Sequence, residues 1–170
     1  MTSHRLLCLG GARSGKSRYA QQRAEVGEGA PVFIATAQPF DDEMHARIAR
    51  HRADRDGRWH CIEAPLDLAP AIDALSGQGK IVLVDCLTLW LSNLLLAGKP
   101  FEAEATILTQ AVARFDGTII LVANEVGWGI VPDNALARKF RDDAGRLNQH
   151  MASICDEVML VVAGLPLRLK

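Results

Sequence analysis

The chain has 170 residues, 49% of them apolar, and 19 Lys+Arg against 20 Asp+Glu give a formal charge of -1. That is enough chain for one domain, 1–170, with a substantial core, and it excludes a protein that offers nucleic acid a basic face. The apolar part of "MTSHRLLCLGG" is too short for a signal peptide, and the run "LTLWLSNLLLAG" is about half the length that crosses a bilayer, so a cytoplasmic protein without a membrane span is expected.

In chain order, the first apolar run, "RLLCLG", predicts a strand. A glycine-rich turn follows it, and then a helix from Gly15 to about Ala24. "PVFIATA" is the second strand, and the acidic pair Asp41-Asp42 can cap a helix after it. "LDLAPAIDAL" predicts a third helix and "KIVLVDCL" a third strand. Leu89 to Arg114 reads as two helices broken at Gly98-Lys99-Pro100. "GTIILVANE" is the fourth strand. Leu136, Phe140, Ala144, Leu147, Met151 and Ile154 then repeat every three or four residues, a long amphipathic helix started by Asp133 or Asn134. "EVMLVVAG" is the fifth strand, and "GLPLRLK" adds a short segment that Pro166 confines to an edge. The strands are continuously rather than alternately apolar, as in a parallel sheet covered on both faces. With helices between them, they predict an α/β fold of right-handed crossovers, mostly parallel, and a glycine-rich turn ending in Gly15-Lys16-Ser17 between the first strand and its helix makes it of the P-loop NTPase kind. Cys8, Cys61, Cys86 and Cys155 have no zinc-like spacing and read as reduced, mostly buried thiols.

Gly10, Gly11, Ala12, Arg13, Ser14, Gly15, Lys16 and Ser17 match G-x-x-x-x-G-K-[ST] between a strand and a helix. Such a loop turns its N–H groups toward an anion, and the helix N-terminus adds partial positive charge. Lys16 can reach the β- and γ-phosphates of a nucleotide, and the Ser17 hydroxyl can ligate Mg²⁺. Asp85, at the tip of "KIVLVD", is the second expected Mg²⁺ position, although any strand-end carboxylate would look the same. A switch GTPase is disfavoured, because N-K-x-D is missing and "DDAG" at 142–145 falls inside a helix.

The other informative stretch is "DDEMHARIARHRADRDGRWHCIE". On a helix, Met44, Ile48, His51 and Arg55 share one stripe, Arg47 lies one turn before His51, and His45 and Arg50 fall to either side. His51 is then either a satisfied core histidine or a group that handles phosphate. The arginines favour the second reading, since cations disfavour imidazolium and can hold phosphate oxygens.

Taken together, "GGARSGKSRYA", "FIATAQPFDDEMHARIARHR", "VLVDCLTLWLSNLL", "NEVGWGIVPDNALARKFRDDAGRLNQ" and "VMLVVAGLPLRLK" closely resemble the bifunctional adenosylcobinamide kinase/adenosylcobinamide-phosphate guanylyltransferase family of cobalamin biosynthesis. The resemblance implies two reactions. The first is phosphorylation of the aminopropanol hydroxyl of adenosylcobinamide by ATP or GTP. The second is transfer of GMP from GTP to that phosphate, through a histidine that carries GMP covalently. The matching histidine is His51. Some relatives have two adjacent histidines there, and here the first of the pair is Arg50. The resemblance also implies nucleotide contacts at Ala35, Thr36 and Ala37, at Arg52, Ala53, Asp54 and Arg55, at Glu63 and at Asp85, and it implies a homotrimer. Thr36 suits such a role, since a hydroxyl at a parallel strand's carboxyl end is expected to face the ligand crevice. Glu63 reads equally well as an exposed loop carboxylate. "LTLWLSNLLLAG" is either core or an interface. In "NEVGWGIVP", Asn124, Glu125 and Trp128 are candidates for touching the corrinoid or a neighbouring subunit, the alternative being a structural turn with Trp128 packed inward. Two other readings remain at this point: a P-loop small-molecule kinase without nucleotidyl transfer, and a nucleotide-dependent binding module.

Overall fold

The computed structural model describes residues 3–27, 29–38 and 57–170. The described elements are β1 (His4–Gly10), α1 (Lys16–Glu25), β2 (Ala30–Ala35), β3 (His60–Glu63), α2 (Leu68–Asp73), β4 (Lys80–Asp85), α3 (Leu87–Leu96), α4 (Phe101–Arg114), β5 (Thr118–Asn124), α5 (Ala135–Ile154), β6 (Glu157–Val162) and β7 (Leu165–Arg168). The helix expected after Asp41-Asp42 lies outside the described residues.

The strands form one sheet in the order β3-β2-β4-β5-β1-β6-β7. Every pairing is parallel except β6–β7, which is antiparallel. The strands were expected to be covered on both faces, and alternate residues do enter two separate cores. Leu7, Val82, Val84, Ile119 and Leu121 join the core under α2, α3, α4 and α5. Leu6, Cys8, Ile81, Leu83, Ile120 and Val122 join Ala20 and Ala24 of α1 on the other face. Side chains alternate along a strand, so a run buried on both sides has no polar period.

The run expected to be core or interface is mostly core: Leu87, Trp90, Leu91 and Leu94 of α3 are buried, while Leu96 is exposed. Helix α5 starts as expected, with Asn134 Oδ1 accepting from the Ala137 N–H at 2.7 Å. Its stripe is buried from Ala144 to Met151, but Leu136 is exposed. The predicted edge segment is β7, where Pro166 pairs with Val161 at the sheet margin. The sequence reading missed β3, a four-residue strand on the opposite margin, where Phe33 pairs with Cys61 and Ala35 with Glu63. Three of the four cysteines are buried and Cys61 is exposed, and none forms a disulfide.

Candidate functional site

In a parallel sheet the carboxyl ends of the strands share one edge, and the loops leaving that edge form the ligand crevice. Here the edge carries Glu63, Ala35, Asp85, Asn124 and Gly10. Their registers are continuous where they adjoin: Ala35 lies opposite both Glu63 and Asp85, and Gly10 opposite Asn124.

The loop from Gly10 to Ser17 is tightly specified. Gly10 has no room for a side chain, because a Cβ there would stand 2.5 Å from Val161 O and 2.5 Å from Ser14 Oγ. Gly15 takes φ 94°, in the region that glycine adopts without cost, and hands the chain to α1. The turn is closed by Ser14 N–H donating to Gly11 O at 3.3 Å and Tyr19 N–H donating to Gly15 O at 3.0 Å. It is held from both sides: Gly164 N–H of the β6–β7 turn donates to Ser14 O at 2.8 Å, and Glu125 N–H donates to Gly10 O at 3.0 Å. Lys16 is only 8% exposed, and its ammonium donates to Gly11 O at 3.1 Å, folding the side chain back across the loop. Gly11, Ala12 and Arg13 are exposed, and Ser14, Gly15 and Ser17 are half-buried. A positive group curled inside a ring of backbone amides at a helix N-terminus is built to receive phosphate oxygens.

Asp85 is half-buried at the end of β4. The neighbouring Cys86 thiol is pushed up to about 11, chiefly by burial, with the Asp85 carboxylate adding to the rise and Lys16 opposing it. Asp85 and Lys16 therefore act on the same small region from opposite signs. Ala35 and Ala37 are half-buried beside it.

Thr36 differs from expectation. It is fully buried, and its hydroxyl donates to Cys86 O at 2.7 Å while accepting from Cys86 N–H at 2.9 Å. The group expected to face the crevice instead joins the ends of β2 and β4. Glu63 is exposed on β3 rather than on a loop. Trp128 is 75% exposed, so it is not the inward-packed residue of a structural turn, and Ile130 and Val131 beside it are exposed as well. Glu125 Oε1 accepts from the Gly127 N–H at 2.7 Å, shaping the segment that holds Gly10. Asn124 lies at the end of β5, its N–H bonded to Thr88 Oγ1 at 2.7 Å and its O to Asn148 Nδ2 at 3.3 Å. Its buried Oδ1 has no partner among the described residues. His51, Arg52, Ala53, Asp54 and Arg55, like His45, Arg47 and Arg50, lie outside the described residues.

Sequence reasoning missed the polar residues that reach the strand ends from helices: Thr88 and Asn93 of α3 and Asn148 of α5. Asn93 did leave a signal, as an amide inside the apolar run "LTLWLSNLLLAG".

Comparison with known proteins agrees with this geometry. The family described as "Cobinamide kinase / cobinamide phosphate guanyltransferase" matches residues 6–169. The bifunctional adenosylcobalamin biosynthesis protein CobP of Pseudomonas aeruginosa is 48% identical over 166 residues, covering 96% of each chain. The bifunctional adenosylcobalamin biosynthesis protein CobU of Salmonella typhimurium is 41% identical over 181 residues, covering 97% of this chain and 99% of its own. Among solved structures, the P4 protein from bacteriophage phi6 in complex with ADP shares the fold, with a TM-score of 0.56 at 15% identity, over 96% of this chain and 54% of that one. On the match along nearly its whole length, the chain belongs to the cobinamide kinase / cobinamide phosphate guanyltransferase family.

Proposed function

We propose that this protein is a bifunctional transferase, acting first as an adenosylcobinamide kinase and then as an adenosylcobinamide-phosphate guanylyltransferase. The observation that carries the reading is the buried Lys16, folded into the loop after β1 on the strand-end edge that also carries Asp85, in a chain 48% identical to a bifunctional relative. In the kinase step the loop amides and Lys16 hold the β- and γ-phosphates of ATP or GTP, and Lys16 offsets the charge that spreads over the γ-phosphoryl oxygens. The aminopropanol hydroxyl of the corrinoid attacks the γ-phosphorus, and the nucleoside diphosphate leaves.

In the second step a ring nitrogen of His51 attacks the α-phosphorus of GTP. An N–P bond forms, and the P–O bond to pyrophosphate breaks. An oxygen of the corrinoid phosphate then attacks the same phosphorus and displaces the imidazole, giving adenosyl-GDP-cobinamide. Splitting the transfer in two avoids direct attack of one polyanion on another. Arg52 and Arg55 supply cations beside His51, Ala53 and Asp54 belong to the same nucleotide-contacting segment, and Ala35, Thr36, Ala37 and Glu63 complete the nucleotide contacts. Thr36 contributes by fixing the crevice wall, since its hydroxyl pairs with the Cys86 peptide, its N–H with Asp85 O and its carbonyl with the Asn93 amide.

The donor set suits Mg²⁺. Ser17 and Asp85 offer hard oxygen atoms, and no group of three or more His, Cys, Asp or Glu among the described residues could hold a metal ion by protein ligands alone. That is the sparse arrangement in which Mg²⁺ keeps waters and substrate phosphates as ligands. When bound through Ser17 and Asp85, it would screen phosphate charge.

The exposed Trp128, with Asn124 and Glu125 beside the phosphate loop, is the surface proposed to meet the corrinoid. The working form is a cytoplasmic homotrimer of single-domain chains. The test of the whole reading is incubation with GTP radiolabelled at the α-phosphorus. Label should remain on the denatured protein and be lost in acid. His51→Ala should abolish labelling while much of the kinase activity persists. A kinase without nucleotidyl transfer would leave the wild-type protein unlabelled, and equal labelling of the variant would refute His51.

A further inference from the structure

Asn93 sits on the inward face of α3, 4% exposed, in a run where Leu87, Trp90, Leu91 and Leu94 are buried as well. Its single amide group donates to two carbonyls from separate parts of the chain, Thr36 O at 2.8 Å and Pro65 O at 2.9 Å. Thr36 is the first residue past β2, and Pro65 is the second past β3. Thr36 is where the chain leaves β2 for the connection to β3, in which His51 falls, and Pro65 lies in the segment that leaves β3 on the same edge of the sheet. Two more bonds close the same junction: Ala64 N–H donates to Ala35 O at 2.9 Å, and the indole of Trp90, one turn earlier on α3, donates to Leu66 O at 2.9 Å. Thr36 is in turn fastened to Cys86, next to Asp85. One buried amide thus joins the strand before the connection, the strand after it, and through Thr36 the end of β4.

We propose that Asn93 is a positioning residue for guanylyl transfer, its amide setting where the start of the His51-bearing connection, at Thr36, and the segment that follows Glu63 stand relative to Asp85. The proposal rests on the assignment of His51 made above. The loop after β1, which serves the kinase step, makes none of these bonds; it is held by Gly164 and Glu125. Loss of the Asn93 amide should therefore separate the two reactions, because in-line attack on phosphorus fails steeply with small displacements of the attacking group.

Two variants keep the branched outline of the side chain and remove its donors: Asn93→Asp, which also keeps its volume, and Asn93→Leu, which is bulkier but uncharged. Leu108→Ala, a truncation in the shared core on α4, serves as a control for plain destabilisation. Each protein is assayed twice, for uptake of label from α-labelled GTP and for kinase turnover with a γ-labelled donor. In both Asn93 variants labelling should slow by about 10- to 100-fold, with kinase turnover within about threefold of wild type. In Leu108→Ala the two rates should fall together. Equal loss of both activities in the Asn93 variants overturns the proposal, and so does unchanged labelling. A wild-type protein that takes up no label shows instead that the His51 assignment is wrong.

Discussion

At the scale of single residues, the phosphate loop shows why its glycines are not equivalent. A Cβ on Gly10 would lie 2.5 Å from a backbone carbonyl of β6, which cannot step aside, whereas a Cβ on Gly11 would meet nothing within 4 Å. Gly10→Ala should therefore cost about 1–3 kcal/mol of stability through overpacking and weaken nucleotide binding by moving the loop. Gly11→Ala should stay within about 0.5 kcal/mol of wild type. Urea unfolding of the two variants, with titration of a fluorescent nucleotide on Gly10→Ala, checks the pair. The loop was legible in the sequence because its chemistry is local: eight consecutive residues carry the turn, the lysine and the hydroxyl. Thr36 was misread for the opposite reason. Its hydroxyl partner is the Cys86 peptide, 50 residues away, and no local pattern tells a hydroxyl aimed at a ligand from one aimed at the next strand. For Trp128 the sequence supports two readings equally, and only its exposure of 75% separates them.

At the scale of elements, legibility followed length and local signals. Helix α5 announced itself by its period and by the residues before it, and the cap that forms is the Asn134 side chain on the Ala137 N–H. Without that acceptor the amide at the start of a 20-residue helix is exposed to water alone. Asn134→Ala should cost about 1 kcal/mol and lower the Tm by about 2–4 °C, read by thermal unfolding at fixed protein concentration. Asn134→Asp should hold its Tm, since a carboxylate accepts the same bond and suits a helix N-terminus. The strand β3 escaped because "HCIE" is four residues long, with His60, Cys61 and Glu63 exposed, so neither alternation nor a continuous apolar run marks it. It becomes a strand by pairing with β2, a decision taken by tertiary structure rather than by its own side chains. The edge strand β7 was expected despite Pro166, because a proline that lacks an N–H is tolerated where one margin faces no partner.

At the scale of the whole molecule, what the sequence could not display is how distant segments are tied at their starting edge, opposite the ligand edge. Glu157, at the start of β6, accepts from Arg23 of α1 through both oxygens, at 3.0 and 2.7 Å, and lies 3.3 Å from the His4 ring at the start of β1. The side chain of Glu157 is 14% exposed, so this bridge is better shielded than most surface pairs. The hydrogen bonds from Arg23 hold the Glu157 carboxyl below its ordinary value of 4.5, with burial opposing the shift. The consequence for stability has a definite sign. A folded-state pKa below the unfolded value means that the unfolded chain takes up the proton more readily. The bridge therefore contributes fully above the unfolded value near 4.5, and its contribution disappears as pH falls through the lower folded value. Glu157→Gln keeps the shape but removes the charge, so the variant should be less stable than wild type at about pH 7 and converge on it as the pH falls through the lowered folded value, below which the glutamate is protonated too. Urea midpoints of the two proteins, taken across that interval in one buffer system, measure the gap directly. A gap that is constant from neutral to acid would mean that the carboxylate charge contributes nothing, and that apolar packing of Tyr19, Ala20 and Ala24 is what holds α1 to the sheet.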